Sequence, residues 1–179
     1  MSRYRHQATT RKEAEVKFYD SDKFNDIPQG AEYAALYADG RYAITPQDNI
    51  KRIPHRRFIT VTGANSYDGI ADFERLNPVF DEEGKLRDWA TRRLRNHQVP
   101  PVVYCDRSDL AYAMSELRGL PRYWWIPTLD NKEWTAEELA INIDEEFHIS
   151  IPVEQIWANQ YTDHSNQYDE SNLFLTWFI

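Results

Sequence analysis

Two carboxylates stand two residues apart in the run Gly69-Ile70-Ala71-Asp72-Phe73-Glu74. The run reads as the end of a short buried strand, and side chains alternate faces along a strand. Asp72 and Glu74 therefore point the same way, with Cα atoms about 6.6 Å apart at two strand rises. Like charges at that spacing repel and push one pKa upward. Glycoside hydrolysis uses such a setting, with one carboxylic acid kept protonated and another ionised. The same tripeptide also suits two solvated acids at a strand-to-loop turn, so the rest of the chain has to weigh between them.

Further acids follow other strand-like runs. Asp20 closes Glu15-Val16-Lys17-Phe18-Tyr19, and Asp169 follows the late strand in Gln167-Tyr168-Asp169-Glu170-Ser171-Asn172. In parallel α/β architectures the carboxyl ends of the strands share one rim, and that rim carries the chemistry. Asp20, Asp72, Glu74 and Asp169 on one rim, with Trp and Tyr at neighbouring strand ends, would form an acidic cleft lined by aromatic rings. Such a cleft suits a neutral or N-acetylated glycan.

The elements that must position these residues alternate between strand-like and helix-like segments. Strands are expected at 15–20, 41–44, 57–62, 70–74, 102–105, 123–126 and 155–161. Helices are expected near 33–36, at 86–97, at 108–117 and within 134–146. In the second of these, Leu86, Trp89, Ala90 and Leu94 share one face. Ser108 or Asp109 would cap the third, and Asn77-Pro78 would break the chain after the mid-chain strand. The apolar segment 173–179 should dock on the core. This alternation points to a single α/β domain built as a β/α barrel. The chain has 179 residues, and eight full βα units need about 200 or more, so some helices must be reduced or missing.

Composition sets limits. Aromatic residues make up 14%, with 6 Trp and 11 Tyr, too many for a disordered chain. The formal net charge of −8 argues against nucleic acid or an anionic membrane as the main partner. Residues 1–14 read as a loose, locally basic arm preceding a domain over 15–179. One cysteine, Cys105, excludes a disulfide framework and a thiolate zinc cage, and its apolar setting predicts a buried, inert thiol. No apolar run approaches membrane-spanning length and no signal peptide is expected at the N-terminus.

Other chemistries find less support. Asp20-Ser21-Asp22 opens like a calcium loop, but Phe24 sits where an oxygen ligand should be and the turn glycine is absent. The five histidines lack metal-ligand spacing, and His164 reads as a solvated or rim-lining loop residue. There is no Gly-x-Ser-x-Gly elbow and no phosphate loop. The basic run Lys51 to Arg57 reads as a solvated loop leading into a strand.

The ordered set of strand-Asp20, Asp72-x-Glu74, Tyr104-Cys105-Asp106-Arg107-Ser108-Asp109-Leu110, Tyr123-Trp124-Trp125-Ile126, Trp157-x-x-Gln160-Tyr161 and Tyr168-Asp169-x-x-Asn172 resembles glycoside hydrolase family 25. That family comprises the lysozyme-like muramidases; glycoside-hydrolase-like relatives are common in actinobacteria and their phages. The resemblance spans roughly 16–174. It implies an irregular β/α barrel that cleaves the bond after N-acetylmuramic acid in peptidoglycan. Glu74 would be the general acid, and Asp72 would stabilise positive charge or orient the N-acetyl group. Asp20 and Asp169 would tune and position, with Tyr104, Trp125 and Tyr161 as sugar-contacting or cleft-shaping rings. No metal or organic cofactor would be needed. Where the family carries Asp-x-Ser on its first strand, this chain has Asp20-Ser21-Asp22, so Asp22 is a second candidate for that place. The product of such a chain would be made in the cytoplasm and be released by lysis or become part of a virion. The rival expectation is a non-catalytic glycan-binding or phage tail module on the same barrel.

Overall fold

The structure, a computed structural model, describes residues 16–63, 69–73, 83–97, 100–164 and 167–175. Its centre is a closed barrel of eight strands in sequence order. These are β1 (Val16–Asp20), β2 (Tyr33–Tyr37), β3 (His55–Thr60), β4 (Ile70–Phe73), β5 (Val102–Cys105), β6 (Tyr123–Pro127), β7 (Ile156–Asp163) and β8 (Asp169–Leu173). Neighbours from β1 to β7 are parallel, whereas β8 runs antiparallel to both β7 and β1. The expected single-domain barrel with reduced helices is thus the observed architecture.

Three α-helices are present among the described residues, and all lie between β4 and β7. They are α1 (Lys85–His97), α2 (Leu110–Glu116) and α3 (Ala136–Phe147). Thr135 opens α3 with a capping box: its hydroxyl accepts from the Glu138 backbone N–H and the Glu138 carboxylate accepts from the Thr135 N–H. A 3-10 turn at Arg107–Asp109 leads into α2, and Asp109, at the N-cap, makes no side-chain cap bond. The expected capping by Ser108 or Asp109 is therefore replaced by the turn.

Three corrections concern the strands. The segment 33–36, expected as a helix, is the core of β2; Ala34 and Leu36 pack outward against Phe24, Ile27 and Ile53. The segment 41–44, expected as a strand, is a turn. Gly40 allows it with φ of 77°, and a Cβ there would fall 2.3 Å from Val61 Cγ2. Asp169, expected to follow the last strand, begins a further one, β8. The Asn77-Pro78 break and residues 176–179 lie outside the described residues, as does the 1–14 arm.

Apolar residues divide between two sides of the sheet. Inside the barrel, Phe18, Trp125 and Trp157 pack edge to face with centroids 5.0 to 5.9 Å apart. Trp125 Nε1 donates to Ser171 Oγ at 2.9 Å, which ties β6 to β8 through the interior. Outside, Ala71, Phe73, Val103, Cys105, Trp124 and Ile126 pack against the helices. Cys105 is fully buried there. The basic run has a structural role too: Arg52 donates to the carbonyls of Phe24, Ile27 and Pro28 at 2.9 to 3.0 Å and so clamps the β1–β2 connection.

Candidate functional site at the barrel mouth

Alternation decides which side chains reach the barrel axis. On β1, Phe18 is interior and Asp20 ends the strand on the same side; on β4, Ile70 and Asp72 share the interior face. β8 enters the barrel from the opposite direction, so its first residue, Asp169, lies level with the last residue of β1, Asp20. The antiparallel strand thus brings an acid to the carboxyl-end rim by its N-terminus. The result is a cavity of about 90 Å³ lined by Asp20, Asp72 and Asp169 with Tyr37, Tyr104, Trp125 and Ile59.

Register fixes the relative places. Asp20 faces Asp169 across the β1–β8 ladder, Asp72 neighbours Tyr104 on β5, and Tyr104 neighbours Trp125 on β6. The rings of Tyr104 and Trp125 meet edge to face at 5.1 Å. Tyr37 is held at the top of β2 by the loop behind it. There Asp39 accepts hydrogen bonds from the Val61 and Thr62 backbone N–H groups at 2.8 and 3.2 Å and from the Thr62 hydroxyl at 2.8 Å.

The cavity is electrostatically crowded. Asp20 is 4% exposed, and its Oδ1 finds no hydrogen-bond partner among the described residues. Burial, then the charges of Asp169 and Asp72, push the Asp20 carboxyl well above its ordinary value. Asp169 is pushed up to about 6 by burial and by Asp163 and Asp22, against the lowering effects of Gln160 and His164. Burial and the surrounding acids also raise the Tyr37 phenol far above its normal range. The cavity therefore holds a phenol that keeps its proton and carboxyls whose protonation is favoured over that of ordinary acids, Asp20 more strongly than Asp169. Such graded protonation is what general acid–base chemistry requires.

The other residues singled out in the sequence are placed in several ways, each with a structural reason. Asp22 is exposed on the loop after β1, so the cavity-facing acid of the Asp20-Ser21-Asp22 run is Asp20. Tyr104 and Trp125 line the cavity. Tyr161 does not: its hydroxyl lies on the outer side of the barrel, bonded to Lys17 Nζ at 2.7 Å and to Glu170. Glu74 lies outside the described residues. His164 Nε2 is hydrogen-bonded to Glu170 at 2.8 Å, and its ring stacks on Tyr168.

Two contributors to the mouth are not foreseen from the sequence. Tyr37 is hidden because Tyr33-Ala34-Ala35-Leu36 reads as helix; tyrosines four residues apart also fit alternate inward places on a strand. Gln160, only 3% exposed, donates its amide to Asp169. A register shift between Gln160 and Thr162 sets it beside the mouth. Such bulges at barrel rims re-aim side chains, and no local composition announces them.

Among the described residues no group of three or more His, Cys, Asp or Glu side chains is arranged to hold a metal ion. No helix among them is long and apolar enough to cross a membrane. Compared with known proteins, the chain matches no family model, no curated protein and no solved structure.

Proposed function

We propose that this protein is a glycoside hydrolase whose substrate is the glycan of bacterial peptidoglycan, cleaved in the manner of a muramidase. The observation that carries this reading is the convergence of Asp20, Asp72 and Asp169 with Tyr37, Tyr104 and Trp125 on one small cavity at the carboxyl-end rim. Carboxylates whose protonation levels are split by burial and mutual repulsion supply an acid and an anionic partner. Aromatic walls supply apolar faces for a sugar ring.

In this reading Glu74 is the general acid that protonates the departing oxygen, a role taken from the family resemblance. Asp72 stabilises the positive charge that develops at the sugar or orients its N-acetyl group. Asp20 and Asp169 set the field in which those two work, and the neutral Tyr37 hydroxyl donates a hydrogen bond into the cavity. Trp125 and Tyr104 form the floor against which the sugar rests.

The test is release of reducing ends from purified peptidoglycan by the wild type and by Glu74→Gln, which keeps the side-chain size and removes the acid. The expected outcome is release by the wild type and a loss of about 100-fold or more in the variant. Binding of the glycan by both proteins with no release by either would replace this reading with a non-catalytic glycan-binding module.

A further inference from the structure

The end of the barrel opposite the acidic mouth carries a second recess. It is an open groove of about 440 Å³ between the turn that follows α2 and the loop that follows α3. Arg118, Arg122 and His148 line it together with Ser115 and Ser150, and Met114 supplies apolar wall. Among the described residues no acid lines this groove, although the chain as a whole carries a net charge of −8.

The arginines are held ready rather than spent. Arg122 Nη1 donates to the carbonyls of Leu117 and Leu120 at 3.4 and 3.0 Å, and its guanidinium lies 5.6 Å from the centre of the Trp124 ring. That contact caps the last turn of α2 and uses one nitrogen only. Nε is buried and makes no hydrogen bond among the described residues. A buried guanidinium nitrogen without an acceptor is unfavourable until one arrives. The side chains of Arg118 and His148 likewise have no carboxylate partner among the described residues.

His148 adds an independent sign. It is the C-cap of α3 with φ of 56° and ψ of 38°, the left-handed conformation in which glycine is the ordinary occupant. The fold thus keeps an imidazole at the groove where its backbone favours a residue with no side chain. Strained backbone of this kind clusters at ligand sites.

We propose that this groove is an oxyanion-binding site, taking a phosphate or carboxylate group between Arg118, Arg122 and His148. Two helices present their C-terminal ends here, which disfavours an anion. Affinity must then come from the three side chains, and that makes single substitutions decisive. The site stands apart from the chemistry at the mouth and does not depend on it.

The experiment is a titration of the full chain with inorganic phosphate, and in parallel with acetate, following backbone amide and arginine Nε–H resonances by NMR. The expected result is saturable shifts confined to 115–122 and 148–150, with affinity about fivefold weaker or worse in Arg118→Ala and in His148→Gly. Response to phosphate alone, acetate alone or both supports the site and tells which group it takes. His148→Gly relaxes the backbone, so it should melt higher than the wild type without ligand yet gain less from adding it. Absence of saturable shifts in the groove with either anion, or unchanged affinity in both variants, overturns the proposal.

Discussion

Asp169 and Glu170 are chain neighbours on one strand, yet their surroundings oppose each other. Asp169 points into the barrel, where burial and nearby acids push its carboxyl up to about 6. Glu170 points outward into a compensated belt. There it accepts from the Tyr161 hydroxyl, is hydrogen-bonded to His164 Nε2 at 2.8 Å and lies 3.4 Å from Lys17 Nζ. Burial works against the Glu170 charge, but these partners win and hold its carboxyl below the ordinary value. Lys17 is similarly held charged: hydrogen bonds to Glu133 and Tyr161 outweigh the cost of its burial. One residue of strand alternation therefore separates acids arranged for stability from acids arranged at a cost to it. Uncompensated charge inside a fold is retained chiefly where chemistry uses it.

The largest effect should come from breaking the outer belt. Lys17→Met removes the cation shared by Glu133, Glu170, Tyr161 and Asn172. It should cost about 1.5 kcal/mol, read by urea denaturation, because the half-buried Glu170 loses its cation while the exposed Glu133 loses only a screened pair. A loss below about 0.5 kcal/mol would mean that the belt is a solvated surface pair. The inner region should respond with the opposite sign. Asp20→Asn removes a carboxyl that burial, Asp169 and Asp72 all disfavour, and it should stabilise the fold by about 1 kcal/mol at pH 7 while lowering the hydrolysis proposed above. Destabilisation would show that Asp20 is compensated after all.

A subtler comparison uses pH. For Asp169 the folded value lies above the unfolded one, so its ionisation penalises the fold. That penalty is complete above about 6 and fades as pH falls toward about 4. Asp169→Asn should therefore gain stability over the wild type at pH 7 and lose that advantage near pH 4, by thermal melting across pH. Glu170 is depressed in the fold, so its contribution is present above about 4.3 and disappears only in stronger acid. Glu170→Gln should be less stable than the wild type at pH 7, with the gap closing below that value. Parallel curves for the two variants would dissolve the distinction between the faces. The smallest effect belongs to Gln160→Met, which removes the amide donated to Asp169 and should raise the Asp169 midpoint by a few tenths of a pH unit, followed by carboxyl ¹³C NMR.

Much of the scaffold is written locally. Val102–Cys105 and Lys85–His97 follow from a β-branched run and a 3.6-residue apolar stripe, and both are legible in the chain to within a residue. The run Ile70-Ala71-Asp72-Phe73 is a short apolar stretch broken by one acid, and strand geometry alone puts Asp72 on the face of Ile70. β2 resists such a reading because two alanines and a leucine between tyrosines fit either period. β8 resists it for the opposite reason. Asp169-Glu170-Ser171-Asn172-Leu173 has almost no apolar content, and it is a strand because β1 and β7 leave a gap that only its backbone groups can close.

The amino-acid sequence by itself determined the class of the fold, the strand ends carrying Asp20 and Asp72, and the aromatic stock for an interior. Local periodicity and turn chemistry are short-range properties, and they survive in a linear reading. The tertiary structure alone decided that β8 runs backwards, that Asp169 meets Asp20 while Tyr161 leaves for the outer belt, and that Tyr37 and Gln160 join the mouth. Those outcomes depend on barrel closure and on a bulge in β7, where ladder hydrogen bonds between residues far apart in the chain override what any single segment prefers.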